Sequence, residues 1–447
     1  MEISLIGFAA VLVLVFLRLP IAFAMGLVGV VGFAAINNWN WRASLSPAAG
    51  TILDTVQTES LSVIPLFILM GMLVAKAGLA NELYRASNAF LGHRRGGLAM
   101  ATIVACGGFS AICGSSLATA ATMSKVAMPE MRRFGYSDSL ATASIAAGGT
   151  LGILIPPSVI LIIYGIMTEQ SIDKLFLAGV IPGLIGIAFY LVAVQWTVIR
   201  NPSAGPAGAR VGWRERLVAF KNVWGIVALF TAILGGIYFG IYTTTEAAGI
   251  GAAGALLIAL FRGMLTWHNL VESLIATIRT TATLFWVLIG AQIFQRFIVR
   301  AGMPEDLLTF VTQWDVSPMV VMMLILLVYL VLGCVFESLS MLLLTVPVFA
   351  PLVAGLGLVG GIGGAAEEMS LIWFGIIVVV VTEISLITPP IGLNVFVLRG
   401  VLGDVSTGTI FRGVTPFWIV DILRQLLLVF VPWLVLVVPV SMKPIGL

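Results

Sequence analysis

Residues 107–131 read GGFSAICGSSLATAATMSKVAMPEM, and residues 144–158 read SIAAGGTLGILIPPS. The small and hydroxyl-bearing run Gly114-Ser115-Ser116 interrupts the first apolar stretch, and Pro156-Pro157 interrupts the second. Both interruptions fall in sequence that is apolar enough to lie in a membrane. Backbone groups released from helical hydrogen bonds at membrane depth are tolerated only where protein buries them or where they line a watery cavity. We therefore expect this stretch to bind something polar.

The composition places the whole chain in a membrane. Of its 447 residues, 60% are hydrophobic and 10% are charged, and the mean hydropathy is +1.12. A soluble domain carries about a quarter charged residues, so a soluble fold would have too little polar surface. Apolar segments recur from end to end, and a spanning helix needs about 20 such residues, which predicts an all-α polytopic membrane protein with roughly 10–13 membrane segments. The lipid bilayer is its expected surroundings, and the net charge of +3 gives no reason to expect nucleic acid as a partner.

Hydropathy and helix-breaking residues predict the first segments. The segment Ile3–Ile36 is broken at Arg18-Leu19-Pro20, because proline cannot donate to the helical hydrogen-bond ladder, and a polar connector over 37–47 follows. Asn81–Gly97 alternates apolar and polar residues as an interfacial amphipathic helix does, and Trp267–Thr277 is predicted as a second helix of that kind.

A basic segment near the middle divides the chain into two halves. Residues 200–222 carry Arg200, Arg210, Arg214, Arg216 and Lys221 against the single acidic residue Glu215. A short loop with that excess of positive charge is expected on the cytoplasmic side. The predicted regions are N-terminal scaffold spans with the interfacial helix over 1–97, a first repeat core over 98–200, a cytoplasmic linker over 201–222, a second scaffold segment with an arm over 223–317, a second repeat core over 318–412, and a C-terminal span over 413–447 with its apolar part at Trp418–Val440.

The two halves repeat one pattern. In the first half GSSLATAATMSKVAMPEM (114–131) precedes LGILIPPSVILIIYGI (151–166), and in the second half FESLSMLLLTVPVFAPLV (336–353) precedes EISLITPPIGLNVFVLRG (383–400). Each half has a hydroxyl-rich cluster, a connector and a double proline, and the glycine-rich connector 355–364 accounts for the greater length of the second copy. Gly and Pro are common in membrane helices and small residues help helices pack. Interruptions at matching places in both halves nevertheless indicate inverted repeats with a binding site between them.

The breaks offer uncharged oxygen ligands. Gly114, Ser115 and Ser116 present carbonyls and hydroxyls, and Thr388–Asn394 adds carbonyls released by proline and an amide oxygen. The same reasoning applies, with fewer side-chain ligands, to Gly152, Pro156, Pro157 and Ser158. Such hard, weakly charged ligands suit a monovalent cation such as Na⁺, and nearby half-helix N-termini offer N–H groups to an anion.

Several ionisable residues in or near apolar runs are candidates because charges are costly in lipid. Glu246 follows Thr243 at the head of TTTEAAG, where a Thr cap and an acidic first turn start a helix, so a structural role is favoured there, as it is for Glu169 at a segment end. Glu337 and Glu383 are stronger functional candidates. Lys125 is open between pairing with a carboxylate and attracting an acidic substrate.

Four motifs together carry a resemblance. GSSLATAATMSKVAMPEM followed by Gly135-Tyr136, then GILIPPS, YTTTEAA and ITPPIGLNVFV, resemble the large membrane subunit of TRAP transporters (tripartite ATP-independent periplasmic transporters), in the same order over nearly the whole chain. Thr244 stands where the commoner form of the YTTTEAA motif has proline, which leaves the local geometry there open.

The resemblance implies a fold and a function. Each half would supply a re-entrant helical hairpin and a broken helix of an elevator-type transporter in the bacterial inner membrane. The protein would be a symporter, not an enzyme, with Na⁺ as coupling ion and no organic cofactor. Its substrate would be a small organic anion, such as a C4-dicarboxylate or a sugar acid. A separate small four-helix membrane subunit and a periplasmic substrate-binding protein would be its partners.

The chemistry of the residues and the resemblance together give the candidate residues. The sodium ligands would come from Gly114, Ser115, Ser116, Gly152, Pro156, Ser338, Thr388, Pro389, Gly392 and Asn394. The anion would meet Ser116, Lys125, Pro157, Ser158, Glu337, Ser340 and Asn394, and Glu246 and Glu383 are the further intramembrane polar residues.

Two alternatives stay open. A stand-alone Na⁺- or H⁺-coupled dicarboxylate or citrate carrier of the same superfamily would need no accessory subunit. An intramembrane serine protease is the remote alternative, since Gly108-Phe109-Ser110-Ala111 resembles a rhomboid serine motif, but acyl transfer needs a base within reach and the only histidines, His93 and His268, lie in predicted polar connectors. The cysteines Cys106, Cys113 and Cys334 have no paired spacing and predict packing rather than disulfides.

Overall fold

The computed structural model describes residues 2–360, 362 and 364–443, and over these residues the chain forms helices and no β-strand. Twenty α-helices follow one another within the described ranges. They are α1 Glu2–Phe16, α2 Ile21–Ile36, α3 Trp41–Gln57, α4 Val63–Lys76, α5 Leu79–Leu91, α6 Gly97–Cys113, α7 Ser116–Arg133, α8 Asp138–Thr150, α9 Val159–Thr168, α10 Ile172–Arg200, α11 Trp213–Tyr238, α12 Thr244–Phe261, α13 Trp267–Arg300, α14 Met303–Gln313, α15 Pro318–Gly333, α16 Ser338–Leu356, α17 Ala366–Ser385, α18 Leu393–Leu402, α19 Thr407–Phe430 and α20 Trp433–Ser441.

The helices confirm an all-α polytopic membrane protein. Eight of them, in the described part of the chain, are long and apolar enough to cross a membrane: α4 with the 3-10 turn before it, α10, α11, α12, α13, α16, α17 and α19. Six shorter apolar helices of 10–17 residues accompany them. Most of these shorter helices are arms of hairpins or halves of broken helices.

The N-terminal region confirms one predicted break and corrects one predicted connector. The chain leaves α1 through Arg18, whose φ is 69°, and α2 begins directly after Pro20. The polar connector predicted over 37–47 is wrong, because α3 already begins at Trp41, where the Asn40 side chain accepts a hydrogen bond from the N–H of Ala43 at 3.2 Å. The sequence did not predict this helix because its hydropathy is low. The helix packs against α2 and α13.

Three further boundaries differ from the sequence prediction. The predicted interfacial helix Trp267–Thr277 is the beginning of the 34-residue helix α13, which starts at a cap from Thr266. The predicted linker 201–222 is helical from Trp213 onwards. The predicted last span Trp418–Val440 is two helices, since α19 ends at Phe430 and α20 begins after Pro432. Apolar periodicity shows neither where a long helix continues through polar residues nor where it stops.

The predicted amphipathic helix at 81–97 is confirmed as α5, with its end at Leu91. Its apolar face, which includes Leu79, Ala80 and Tyr84, is buried, and α5 packs against α6 and α11. The helix therefore covers a part of the helical core.

Two units have the same order of elements. In the first unit α6 and α7 form a hairpin, and α8 and α9 are the halves of a broken helix; in the second unit α15 and α16 form the hairpin, and α17 and α18 are the halves. The half-helix that follows each break packs on the other unit: α9 contacts α16 and α17, and α18 contacts α7 and α8. The helix α17 is the central one, with every residue from Met369 to Ser385 buried.

The connector between the second hairpin and its broken helix is only partly described. Gly361 and Gly363 of the predicted glycine-rich connector 355–364 lie outside the described residues, as do the last four residues of the predicted C-terminal region 413–447.

Candidate functional site

The first hairpin turns at Gly114 and Ser115. Gly114 ends α6 with a φ of 62°, a conformation that costs a residue with a side chain about 1–2 kcal/mol, and its N–H donates to the carbonyl of Ser110 at 2.8 Å. Ser115 is extended, and its hydroxyl accepts from the N–H of Ala118 at 3.3 Å. This cap starts α7 at Ser116, so the hairpin tip presents the N-terminal end of a helix.

The first broken helix lies beside this tip. A 3-10 turn at Leu151–Ile153 ends α8, and Pro156-Pro157, joined by a cis peptide bond, carry the chain to Ser158. The Ser158 hydroxyl donates to the carbonyl of Ile153 at 2.5 Å and accepts from the N–H of Leu161 at 3.3 Å, which starts α9. A Cβ atom built on Gly114 would lie 3.9 Å from the carbonyl oxygen of Pro157.

The second hairpin has the same design with a carboxylate at its tip. Glu337 caps α16, because one carboxylate oxygen accepts from the N–H groups of Leu339 at 3.2 Å and Ser340 at 3.4 Å. Before it, the Cys334 thiol lies 3.7 Å from the carbonyl oxygen of Pro389. The second hairpin therefore contacts the second break as the first hairpin contacts the first break.

The second broken helix is held by side chains around Thr388. The Thr388 hydroxyl donates to the carbonyl of Ile384 at 2.6 Å and accepts from the indole N–H of Trp418 at 2.9 Å. A second cis peptide bond joins Pro389 and Pro390, and Gly392, with a φ of 58°, leads into α18. A Cβ atom on Gly392 would lie 3.3 Å from the carbonyl oxygen of Thr388.

One pair of side chains joins the two units. The Ser116 hydroxyl donates to Oδ1 of Asn394 at 2.9 Å, and Nδ2 of Asn394 donates to the carbonyl of Ala146 at 3.0 Å. Asn394 is fully buried and Ser116 nearly so. The first turns of α7 and α18 and the last turns of α8 thus meet at one point.

Both hairpin tips open on a single cavity of about 330 Å³. Gly114, Ser115 and Ser116 line it from the first unit, and Glu337 and Ser338 line it from the second. The opposite wall is apolar apart from a threonine, and it comes from α4 and α13, including Met72, Thr280 and Leu284. The N-terminal ends of α7 and α16 lie at this space and bring their positive helix-dipole ends to it. Glu337 already accepts two of the first N–H groups of α16, and Ser115 accepts one of α7.

The other predicted residues lie outside the cavity lining. Gly152 packs against Ser110, where a Cβ atom would be 2.8 Å from the serine Cβ, and Pro156 is buried against α10 near Gly179. Lys125 is exposed on α7, away from the tip. Ser340 is half-buried and takes part through its N–H to Glu337. The carbonyl oxygen of Pro157 lies beside Gly114 at the tip.

Two predicted acidic residues have structural partners. Glu246 completes a capping box with Thr243 at the start of α12, in which the carboxylate accepts from the N–H of Thr243 at 2.8 Å. This bears out the structural interpretation of that motif. Thr244, at the position where the commoner motif has proline, donates its hydroxyl to Asp173. Glu383 is fully buried and pairs with Arg424, with 2.5 Å between its Oε2 and the arginine Nη2.

Several groups were not found from the sequence. The Ala146 carbonyl carries no sequence signal, and the apolar wall from α4 and α13 looks like any lipid-facing helix. Asp421 and Arg424 do carry a signal, because charges three residues apart in the apolar run of α19 are candidates in a membrane helix. Ser110 of the protease-like motif is buried, and its hydroxyl has no hydrogen-bond partner in the described part of the chain.

The described residues contain no group of three or more His, Cys, Asp or Glu side chains arranged for a metal ion. The available ligands at the two breaks and tips are carbonyl, hydroxyl and amide oxygens together with the Glu337 carboxylate. Such a set suits an alkali cation carried as cargo and does not suit a resident transition metal.

Paired hairpins, paired broken helices and a cavity on which both hairpin tips open define a membrane transport protein. The family described as "Tripartite ATP-independent periplasmic transporter, DctM component" matches residues 8–434, and the chain belongs to this family of large permease subunits. It is accordingly a transporter component and not an enzyme.

Two relatives show how the chain compares within the family. It is 35% identical to the C4-dicarboxylate TRAP transporter large permease protein DctM of Pseudomonas aeruginosa over 399 residues, which cover 89% of this chain and 90% of the relative. It is 30% identical to the sialic acid TRAP transporter large permease protein SiaM of Vibrio cholerae over 428 residues, covering 95% and 96%.

A solved structure shares the fold at low sequence identity. The Alcanivorax borkumensis YdaH transporter, described as having an unusual topology, matches with a TM-score of 0.62 and 15% identity. The match covers 88% of this chain and 89% of that one. At this level of identity the likeness concerns the fold alone.

Proposed function

We propose that the protein is the large membrane subunit of a Na⁺-coupled symporter for a small organic anion. The observation that carries the proposal is the cavity of about 330 Å³ on which both hairpin tips open. It combines uncharged oxygen ligands with two helix N-termini, the two kinds of group that a cation and an anion need when they bind side by side.

The Na⁺ sites are proposed at the breaks. Ser116 and Asn394 bring a hydroxyl and an amide oxygen together across the two units, and carbonyls near Gly114 and Thr388 are freed from regular helical pairing. Each ion would draw a hairpin tip and a break together. Because Na⁺ would complete the wall that the anion touches, each ligand should raise the affinity for the other by the same factor.

The anion is proposed at the N-termini of α7 and α16. The N–H groups in the first turn of α7 and the positive dipole ends of both helices favour a carboxylate there. Ser338 is a hydroxyl donor on the cavity wall, whereas the Ser116 hydroxyl already donates to Asn394. Glu337 also lines the cavity. The α16 N-terminus and a bound Na⁺ would offset its charge, so that the anion meets no net repulsion. The relatives named for C4-dicarboxylate and sialic acid favour a carboxylic acid as the substrate class.

The proposal includes partners and a location. The family description of a tripartite periplasmic system favours a small four-helix membrane subunit and a periplasmic substrate-binding protein as separate chains, in the bacterial inner membrane. The basic segment 200–222 would be cytoplasmic. The hairpins and broken helices would move together as an elevator against α4, α12 and α13, with the two units in inverted orientation.

Reconstituted transport tests the proposal. Proteoliposomes containing the chain and its co-purified small subunit would be given radiolabelled succinate, fumarate or sialic acid, with the binding protein encoded beside it and an inward Na⁺ gradient. We expect uptake of one such acid that stops when choline replaces Na⁺. Uptake that continues in choline would contradict Na⁺ coupling, and uptake without the binding protein would support the stand-alone carrier instead.

A further inference from the structure

A second polar cluster lies inside the helical core, apart from the cavity. It consists of Thr150 at the end of α8, Tyr190 on α10, Glu383 on α17, and Asp421 and Arg424 on α19, and each of these side chains is 0% exposed. It joins elements from both units: Thr150 is the last residue of α8 before the first break, and Glu383 lies in the last turn of α17 before the second break.

The charges of this cluster do not balance if both acids are ionised. Arg424 Nη2 lies 2.5 Å from Glu383 Oε2 and 3.0 Å from Asp421 Oδ1. Arginine keeps its proton in proteins, so two carboxylates and one guanidinium would leave one negative charge fully buried. An uncompensated buried charge is strongly unfavourable.

Among the described residues, the helices that pack on α19 bring no second cation to the cluster. The helices α8 and α17 have no basic residue. On α10, Lys174 pairs with Glu368, and Arg200 lies over the Trp196 ring at the end of the helix. The Arg399 guanidinium of α18 donates to the carbonyls of Gly403 and Val405 at the end of its own helix. The Gln425 amide is neutral and donates to the carbonyl of Ile377 at 3.2 Å. The helix α20, which packs on α10 and α17, has no charged residue over Trp433–Ser441. Among the described residues, Tyr190, Glu383 and Arg424 are the titratable or charged groups that face Asp421.

The hydrogen count identifies which acid carries a proton. The Thr150 hydroxyl lies 2.8 Å from the carbonyl of Ala147 and 3.0 Å from the Tyr190 hydroxyl, and the Tyr190 hydroxyl also contacts Asp421 Oδ2. These are three oxygen–oxygen contacts, but the two hydroxyls supply only two hydrogens. With Asp421 ionised, one contact has no hydrogen. With Asp421 protonated, all three are hydrogen bonds.

We infer that Asp421 is a proton-binding site, and that Glu383 is the ionised partner of Arg424. Asp421 Oδ2–H then donates to the Tyr190 oxygen, Tyr190 donates to Thr150, and Thr150 donates to the Ala147 carbonyl. The cluster is neutral as a whole. The bound proton completes the hydrogen bonds from Thr150 at the end of α8 to Asp421 on α19. The ion-pair contacts of Arg424 with Asp421 and Glu383 then extend the cluster to the last turn of α17. The inference does not depend on Na⁺ coupling.

Two isosteric substitutions test the assignment. Asp421→Asn keeps a neutral group whose N–H can donate to Tyr190, while Glu383→Gln removes the only negative charge opposite Arg424. The full-length chain would be unfolded by SDS titration in mixed micelles at pH 7. We expect Asp421→Asn to unfold within threefold of the wild-type equilibrium constant. Glu383→Gln should lower the ratio of folded to unfolded protein on the order of a hundredfold or more, as loss of a buried charge partner does.

Infrared spectroscopy gives a readout that does not depend on how well Glu383→Gln folds. In protein labelled with ¹³C-aspartate, we expect the shifted C=O stretching band of a protonated carboxylic acid at pH 7 in the wild type and its loss in Asp421→Asn. A wild type without this band would overturn the assignment. The assignment would also be overturned if Asp421→Asn lowered the ratio of folded to unfolded protein as much as Glu383→Gln does, or more.

Discussion

The hydroxyl of Ser116 and the amide oxygen of Asn394, 278 residues apart in sequence, lie 2.9 Å apart at the junction of the two units. Ser116 opens the second arm of the first hairpin, and Asn394 opens the half-helix after the second break. Because α18 packs on α7 and α8, the proposed ion ligands of one unit are completed by the other. The proposed ion site therefore draws on both copies of the repeat.

Removing either side chain of this pair should weaken Na⁺ binding. We expect Ser116→Ala or Asn394→Ala to raise the Na⁺ concentration for half-maximal uptake about three- to tenfold, the equivalent of one lost polar contact of about 1 kcal/mol. Ser124→Ala is the matched control, because its buried hydroxyl lies on the same helix and donates to the carbonyl of Ala121 within that helix. The measurement is uptake as a function of Na⁺ concentration. If the concentration for half-maximal uptake is unchanged in both variants, the pair does not belong to the ion site.

Gly392 should not tolerate a side chain. Its φ of 58° makes alanine cost about 1–2 kcal/mol, and the added Cβ would lie 3.1 Å from the Phe411 ring. Gly392→Ala is therefore expected to lower the SDS concentration at which half of the protein is unfolded, and to lower the rate of uptake. Gly400→Ala, two turns further along α18 with no atom within 4 Å of its Cβ, should be neutral or stabilise by up to about 1 kcal/mol. Equal stability of the two variants would show that the break does not need the left-handed conformation.

Cys113 should report on occupancy of the cavity. Cys113 lines the cavity beside Gly114, whereas Cys106 is fully buried. A variant with Cys106 and Cys334 replaced by serine leaves Cys113 as the only thiol. We expect a small maleimide to label it, and Na⁺ with substrate to slow the labelling severalfold. The variant that retains Cys106 alone is the control and should resist labelling in the folded protein. If neither Na⁺ nor substrate changes the rate at which Cys113 is labelled, the binding site lies elsewhere.

The capping box at α12 should affect stability without affecting ion binding. Thr243→Ala removes the cap on the N–H of Glu246 and is expected to cost about 1 kcal/mol of the free energy of unfolding. Thr231→Ala on α11 is the control, since its exposed hydroxyl bonds only the carbonyl one turn back and surface changes of this kind stay within about 0.5 kcal/mol. A change in the Na⁺ concentration for half-maximal uptake in Thr243→Ala would contradict the structural role assigned to this motif.

The local features of the site and of the helices around it could be predicted because they depend on neighbours in sequence. The turn at Gly114-Ser115, the two double-proline breaks and the Thr243–Glu246 cap all arise within one or two helical turns. Helix limits were less accessible: α3 is too polar to stand out by hydropathy, and α13 continues through polar residues that had indicated a separate interfacial helix. In both cases one face of the helix packs against α2, and this contact stabilises the helix. The contact is visible only in the tertiary structure.

The sequence by itself determined that this chain lies in a membrane, that its second half repeats its first, and where its helices break. Hydropathy, missing proline N–H groups and glycine conformations act locally and leave a readable pattern. Only the tertiary structure decided that Asn394 meets Ser116 and the Ala146 carbonyl, that α4 and α13 close the cavity, and that Glu383 faces Arg424 and Asp421. These contacts come from crossed packing between the two units, in which each half-helix after a break leaves its own unit, and no local pattern in the chain encodes which surfaces then come together.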